Sequence, residues 1–256
     1  MSLQMTNIHT QVIERLKELR LPVVRAYYKQ ATQTAQQEGL SYEQYLLGLI
    51  ERECEVRQQN RVERLLRESR LPLEKTLATL DLKRFPQRIV NQLRSLVEGS
   101  FLDRAENILA FGNPGSGKTH LLCAIGEELI RAGRRVYFTP CSLLVQDLLQ
   151  AKQNLTLARL LRRLRKYDAI IIDDIGYVQH DRDEMEVLFT LLADRYERGT
   201  VMITSNLPFS QWERIFHDPM VTAAAIDRLV HHSIILELNI TSYRMEQAKR
   251  KEVKAE

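Results

Sequence analysis

The sequence predicts an α/β fold, a parallel sheet flanked by helices, preceded by a small all-helical N-terminal region. Three observations carry this. From about residue 107, short apolar runs alternate with amphipathic helical stretches; the first run ends in a glycine-rich loop that opens a helix; and the first hundred residues place apolar positions at three- and four-residue spacing with very little Gly or Pro. With 256 residues and 44% hydrophobic content, the chain can bury a substantial core. No apolar run approaches the ~20 residues of a membrane span, and no basic segment followed by an apolar stretch and cleavage site opens the chain. A cytoplasmic protein without a membrane partner is expected.

The net charge of +4 is unevenly placed. Residues 1–100 hold 16 Lys and Arg against 12 Asp and Glu, whereas the remainder is balanced, so the excess lies in the first part. A local basic surface can bind nucleic acid even when net charge is small. Cys54, Cys123 and Cys141 are odd in number, far apart and without C-x-x-C spacing, so neither a disulfide framework nor a zinc site is suggested and buried or inert thiols are expected.

In the helical region, Ser41-Tyr-Glu-Gln44 is a capping box, and the helix it opens is expected to run to about Arg70. Leu46, Leu47, Ile50 and Cys54 form one stripe, expected to pack on earlier helices around Val12, Leu16 and Leu19. Arg57, Arg61 and Arg64 share a face. They fit a phosphate-contacting ridge or, equally, a solvated face neutralised by Glu53, Glu63 and Glu68. Pro72 and Pro86 end the helical pattern, which puts a domain boundary near residue 85: 1–85 helical, 86–256 α/β.

Strands are expected at Ile108–Phe111, Arg135–Thr139, Ala169–Ile172, Val201–Thr204 and Ile234–Leu238, with functional loops at their C-terminal ends. Gly112-Asn113-Pro114-Gly115-Ser116-Gly117-Lys118-Thr119 fits G-x-x-x-x-G-K-[ST] at every fixed position, between an apolar strand and a helical run. Glycines let the backbone wrap phosphates and turn amides inward, and the helix N-terminus adds positive potential. Lys118 would neutralise β/γ-phosphate charge, and the Thr119 hydroxyl would ligate Mg²⁺. The apolar strand Ala169–Ile172 delivers Asp173 and Asp174. Asp173 is assigned to the metal, with Thr119, and Asp174 to the attacking water. Asn206, ending the strand from Val201, could orient that water or read the γ-phosphate, or belong to a simple turn with Pro208.

Before the acidic strand, Arg159, Arg162, Arg163 and Lys166 recur at i, i+3, i+4, i+7, opposite Leu157, Leu161 and Leu164. Four cations without intervening acids on that face favour phosphate contact over a plain solvated face. No recognition-helix signature is present and aromatics are not interleaved with the cations, so non-sequence-specific binding of double-stranded DNA is expected.

These elements in this order resemble the AAA+ ATPases, and within them the branch containing the DnaC helicase loader and the IstB transposition helpers of insertion sequences. The matching phrases are Leu19-Arg-Leu-Pro22, Gly117-Lys-Thr-His120, Asp173-Asp-Ile-Gly-Tyr177, Arg195-Tyr-Glu197, Thr204-Ser-Asn206, Asp227-Arg-Leu229 with His231-His232, and Ser242-Tyr-Arg244. Leu-Arg-Leu-Pro, the Arg-rich N-terminal helix and Asp-Arg-Leu-x-His-His together look like IstB rather than a loader. The resemblance implies that His120 and Arg244 belong to the nucleotide site, and that Arg228 is an arginine finger reaching ATP held by a neighbouring copy in a homo-oligomer.

The sequence departs from the family pattern twice: Asn239-Ile-Thr241 precedes Ser-Tyr-Arg where a glycine is usual, and Asp174 stands where many relatives carry Glu. The shorter acid implies slow ATPase turnover, stimulated by DNA or a partner. The implied function is an ATP-dependent DNA-binding regulator of transposition that assembles on target DNA and recruits or activates a DDE-type transposase. The rivals are a replicative helicase loader and a small-molecule or nucleotide kinase.

Overall fold

The computed structural model describes residues 2–176, 182–212 and 219–243. Arg244 lies outside the described residues. Two compact units divide after Arg64.

The first unit consists of α1 (Ser2–Glu18), α2 (Pro22–Glu38) and the greater part of α3 (Tyr42–Ser69), which continues across the division. The capping box forms in both directions: the Gln44 amide donates to Ser41 Oγ at 3.2 Å, and the Ser41 amide donates to Gln44 Oε1 at 2.9 Å. The inward stripe of α3 differs from the expected one. Leu46, Leu47, Ile50 and Cys54 are exposed, and so is Leu19, whereas Leu49 and Glu53 are buried.

Glu53 explains the rotation. Leu21 precedes α2 without a capping side chain, so the first amides of that helix need an acceptor from elsewhere. Glu53 Oε2 accepts from Val23 N at 2.9 Å and Val24 N at 3.0 Å, while Oε1 accepts from Arg57 Nε at 2.9 Å. A carboxylate at a helix N-terminus also complements the macrodipole. Burial would raise the carboxyl pKa, but the donors from Val24, Arg57 and Val23 outweigh it and hold it below the usual 4.5.

Glu53→Ala is therefore expected to destabilise the helical unit by about 2–3 kcal/mol, read as a lower Tm and faster hydrogen exchange at Val23 and Val24. Because the folded pKa is depressed, this contribution is present above the unfolded value and lost as pH falls through the folded one, below 4.5. Unaltered exchange at both amides would contradict the capping role.

The second unit begins earlier than the prolines suggest. Leu65, Leu71, Leu80 and Phe85 are buried, and His120 Nε2 pairs with the Thr76 carbonyl at 2.9 Å and with Thr79 Oγ1 at 3.1 Å. The segment 65–85 thus packs as part of the α/β unit, whereas the prolines had put the boundary near residue 85. Pro72 and Pro86 mark the end of helical periodicity, not the end of a packing unit.

Among the described residues five parallel strands follow: β1 (Asn107–Gly112), β2 (Val136–Pro140), β3 (Ala169–Asp173), β4 (Thr200–Ser205) and β5 (Ser233–Leu238), in the order β2-β3-β4-β1-β5. Helices α4 (Gln87–Val97), α5 (Ser100–Asp103), α6 (Lys118–Arg131), α7 (Cys141–Gln153), α8 (Leu157–Leu164), α9 (Arg182–Arg195) and α10 (Pro219–Val230) surround the sheet. Ile170, Ile171 and Ile172 are fully buried, as expected where helices cover both faces of a parallel sheet.

Arg195 pins one sheet edge from inside, its guanidinium donating to the carbonyls of Tyr167 and Thr200 at 2.8 Å, Asp168 at 3.1 Å and Leu164 at 3.2 Å. Burial lowers its pKa to about 10, which leaves it charged at neutral pH. Cys123 and Cys141 are buried, and burial pushes both thiols up to about 12.

A nucleotide-binding loop and its carboxylates

The loop between β1 and α6 lies at the C-terminal edge of the sheet, where the ends of β1, β3 and β4 converge. Glycine is required at Gly112, where a Cβ would run into the Leu238 carbonyl, and at Gly115, where φ is +78° and a Cβ would collide with the Ser242 side chain. The Tyr243 amide donates to the Gly115 carbonyl at 3.0 Å, so the start of the Ser-Tyr-Arg phrase docks on the loop. Arg84 joins the same face, donating to the Thr241 carbonyl at 2.9 Å and lying 4.9 Å from the Tyr243 ring centre.

Lys118 is buried and donates to the loop's own carbonyls, Gly112 at 2.8 Å and Asn113 at 3.0 Å. Ser116 Oγ is buried without a hydrogen-bond partner among the described residues. Across from the loop, Asp173 Oδ1 accepts from Thr119 Oγ1 and from Thr204 Oγ1, both at 2.7 Å. Thr204 Oγ1 in turn accepts from the Asp174 amide at 2.8 Å, and Asp174 holds a left-handed backbone at φ +61° while its side chain stays exposed. Asn206 Oδ1 is buried without a hydrogen-bond partner among the described residues and sits so close to Gly176 that a Cβ there would lie 2.7 Å away. A cradle of glycines facing a hydroxyl and a carboxylate, with an unpaired amide oxygen nearby, fits a nucleoside triphosphate and a hard divalent cation.

The structure therefore brings Gly112 to Thr119, Asp173, Asp174 and Asn206 to one edge of the sheet. His120 follows the loop in sequence, but its imidazole is engaged by Thr76 and Thr79. Thr204 is the member that sequence reasoning left without a role. Its signal is a hydroxyl closing an apolar strand two residues before Asn206.

Arg228 stands elsewhere. Its neighbour Leu229 accepts through its carbonyl from Asn107 Nδ2 at 3.3 Å, at the start of β1, whereas the loop follows the end of that strand, about 17 Å away. The Arg228 guanidinium lies 4.6 Å from the Phe189 ring centre, and Nη1 is buried without a hydrogen-bond partner among the described residues.

Among the candidate phosphate-contacting cations, Arg57 is engaged by Glu53 and by the Arg20 carbonyl, while Arg61 and Arg64 are exposed. Arg159, Arg162, Arg163 and Lys166 are all exposed. Leu164, on the opposite face of α8, is buried in the core, and Leu157 and Leu161 pack against it. Arg165 is bound to Asp194, whose carboxyl that guanidinium holds below the usual range.

A family profile described as IstB-like ATP binding protein matches residues 14–251. An insertion-sequence ATP-binding protein of Sinorhizobium fredii is 42% identical over 250 residues, covering 95% of this chain and 84% of that protein. The IS5376 ATP-binding protein of Geobacillus stearothermophilus is 37% identical over 244 residues, covering 95% and 97%. Among solved structures, AMPPCP-bound DnaA from Aquifex aeolicus superposes with a TM-score of 0.56 at 18% identity, covering 73% of this chain and 57% of that one, which shows a shared AAA+ fold. The loop, its carboxylates and these matches together place the chain in the IstB-like ATP-binding protein family.

Proposed function

We propose that this chain is a DNA-dependent ATPase that regulates transposition: with ATP bound it assembles on target DNA, and in that form it recruits or activates a DDE-type transposase. The observation that carries the nucleotide half is the hydrogen-bonded set Thr119, Asp173 and Thr204 facing the glycine loop. The association of similar chains with insertion sequences supports the transposition half. No helix among the described residues is long and apolar enough to cross a membrane.

Within the site, the amides of Asn113, Gly115 and Gly117 hold the β-phosphate and orient the chain of phosphates. Lys118 leaves the Gly112 and Asn113 carbonyls and places its ammonium against β- and γ-phosphate oxygens. Thr119 and Asp173 are the residues that would hold Mg²⁺, which would supply charge neutralisation to the phosphates. Thr204 keeps the Asp173 carboxylate in register and, through the Asp174 amide, fixes where the second acid projects. Asp174 accepts a hydrogen bond from the attacking water, whose oxygen bonds the γ-phosphorus as the bond to the β-phosphate bridging oxygen breaks, giving ADP and inorganic phosphate. Asn206 presents its amide to the same water or to the γ-phosphate. Arg228, far from its own loop, serves the site of the next copy.

Duplex DNA meets the exposed face of α8 and the turn after it. Arg159, Arg162, Arg163 and Lys166 contact phosphates there, which gives affinity without base reading. Reversing Arg162 and Arg163 to Glu is expected to weaken duplex binding by about tenfold or more at moderate salt and to reduce the salt slope by about 2, with nucleotide affinity unchanged. Filter binding across a salt series, beside nucleotide titration, measures both. Unchanged duplex affinity would remove this surface from the account.

A further inference from the structure

At the edge of the sheet opposite the nucleotide loop, two turns bring together three side chains that the ATPase reading does not use. Glu197 lies in the turn between α9 and β4, with a left-handed backbone at φ +56°. His231 and His232 form the turn between α10 and β5. Each offers one ligand atom, and the three atoms lie within 4.8 Å of one another.

We propose that Glu197, His231 and His232 form a binding site for a Zn²⁺-class divalent cation. Two imidazoles and a carboxylate are a donor set for a borderline transition ion, and imidazole nitrogen discriminates against Mg²⁺, which prefers oxygen. Ligands of a tetrahedral ion at about 2 Å sit roughly 3.3 Å apart, so rotation of these exposed side chains by about an ångström closes the set. The fourth position is left to water, and a cavity of about 540 Å³ opens beside Tyr196 and Glu197.

The turns are held before any ion arrives. Asn107, at the start of β1 between the two strands, donates its amide to the His232 carbonyl at 2.7 Å and accepts from the Val201 amide at 2.9 Å. Arg195 fixes the other turn through the Thr200 carbonyl. The Tyr196 hydroxyl lies 3.2 Å from His231 Nδ1, the kind of outer partner that orients a ligating imidazole. Bound there, the ion ties the turn after α9 to the turn after α10.

Zn²⁺ titration of the tag-free full chain by calorimetry tests this, with excess Mg²⁺ present to occupy oxygen sites. One Zn²⁺ per chain is expected, and H231Q, H232Q and E197Q are each expected to weaken it by about tenfold or more. Their Tm in EDTA should match that of the parent chain, and Zn²⁺ should raise the Tm of the parent alone. X-ray absorption of the zinc-loaded parent reads the ligands without any substitution, with two imidazoles expected. Absence of binding, affinity indifferent to all three substitutions, or a sulfur-ligated ion would overturn the proposal.

Discussion

Replacing Arg228 by Ala is expected to lower kcat for ATP hydrolysis in the DNA-assembled protein by about a thousandfold while leaving nucleotide affinity of the isolated chain intact. The size follows from what a guanidinium contributes when supplied to a phosphoryl-transfer transition state from a neighbouring molecule, about 10³-fold or more. The direction of the split follows from geometry. Leu229, next in the chain, is tied to the start of β1, and the loop begins at that strand's far end, so Arg228 stands by the opposite end of the strand from the loop. Its guanidinium lies 4.6 Å from the Phe189 ring centre, and its buried Nη1 has no hydrogen-bond partner among the described residues. Arg228→Lys should recover little, because an ammonium lacks the planar fork that spans two phosphate oxygens. Steady-state hydrolysis on duplex DNA, beside equilibrium binding of a fluorescent ATP analogue, separates the two effects. An equal loss of affinity in the isolated chain would mean that Arg228 acts within its own subunit.

The second large effect is expected at Lys118. Lys118→Ala should lower kcat by about 10²- to 10³-fold, as removal of a preorganised donor to developing charge does elsewhere, and should also weaken ATP binding, because the ammonium meets phosphate in both ground and transition states. Thr204→Val is the finer companion. It removes one hydrogen bond to Asp173 Oδ1 and leaves the Asp174 amide without its acceptor, while keeping the volume of the side chain. A roughly tenfold loss in kcat with modest change in ATP affinity is expected from mispositioned carboxylates. Normal turnover in Thr204→Val would show that the pairing of β3 and β4 alone places both acids.

The sheet and its loop were legible because their causes are local. Each apolar run from Ile108 to Leu238 lies within a residue of the strand it forms, and Ser41 and Gln44 exchange both capping hydrogen bonds as their spacing implies. The glycines of the loop were readable for the same reason, since backbone wrapping constrains residue type at fixed offsets. What was not legible depends on partners distant in sequence. Apolar periodicity pointed Leu46, Leu47 and Ile50 inward, but the orientation of α3 follows Glu53, a buried charge whose acceptor capacity is filled by amides about thirty residues away. A lone acid on a charged helix carries no mark of that. Likewise, His120 directly follows the most recognisable motif of the chain, yet its imidazole is bound by Thr76 and Thr79. Thr204 was visible only as the polar end of an apolar strand, because its role arises from the adjacency of β4 to β3.

The proposed function requires that the site built on Gly112 to Thr119 be completed between copies. Mixing Lys118→Ala and Arg228→Ala chains on duplex DNA tests it directly. Each variant alone is expected to be nearly inactive, and the mixture should recover hydrolysis, because an intact loop then meets an intact Arg228 across some junctions. A mixture no more active than its two components, with both chains assembled on the same DNA, would contradict the account.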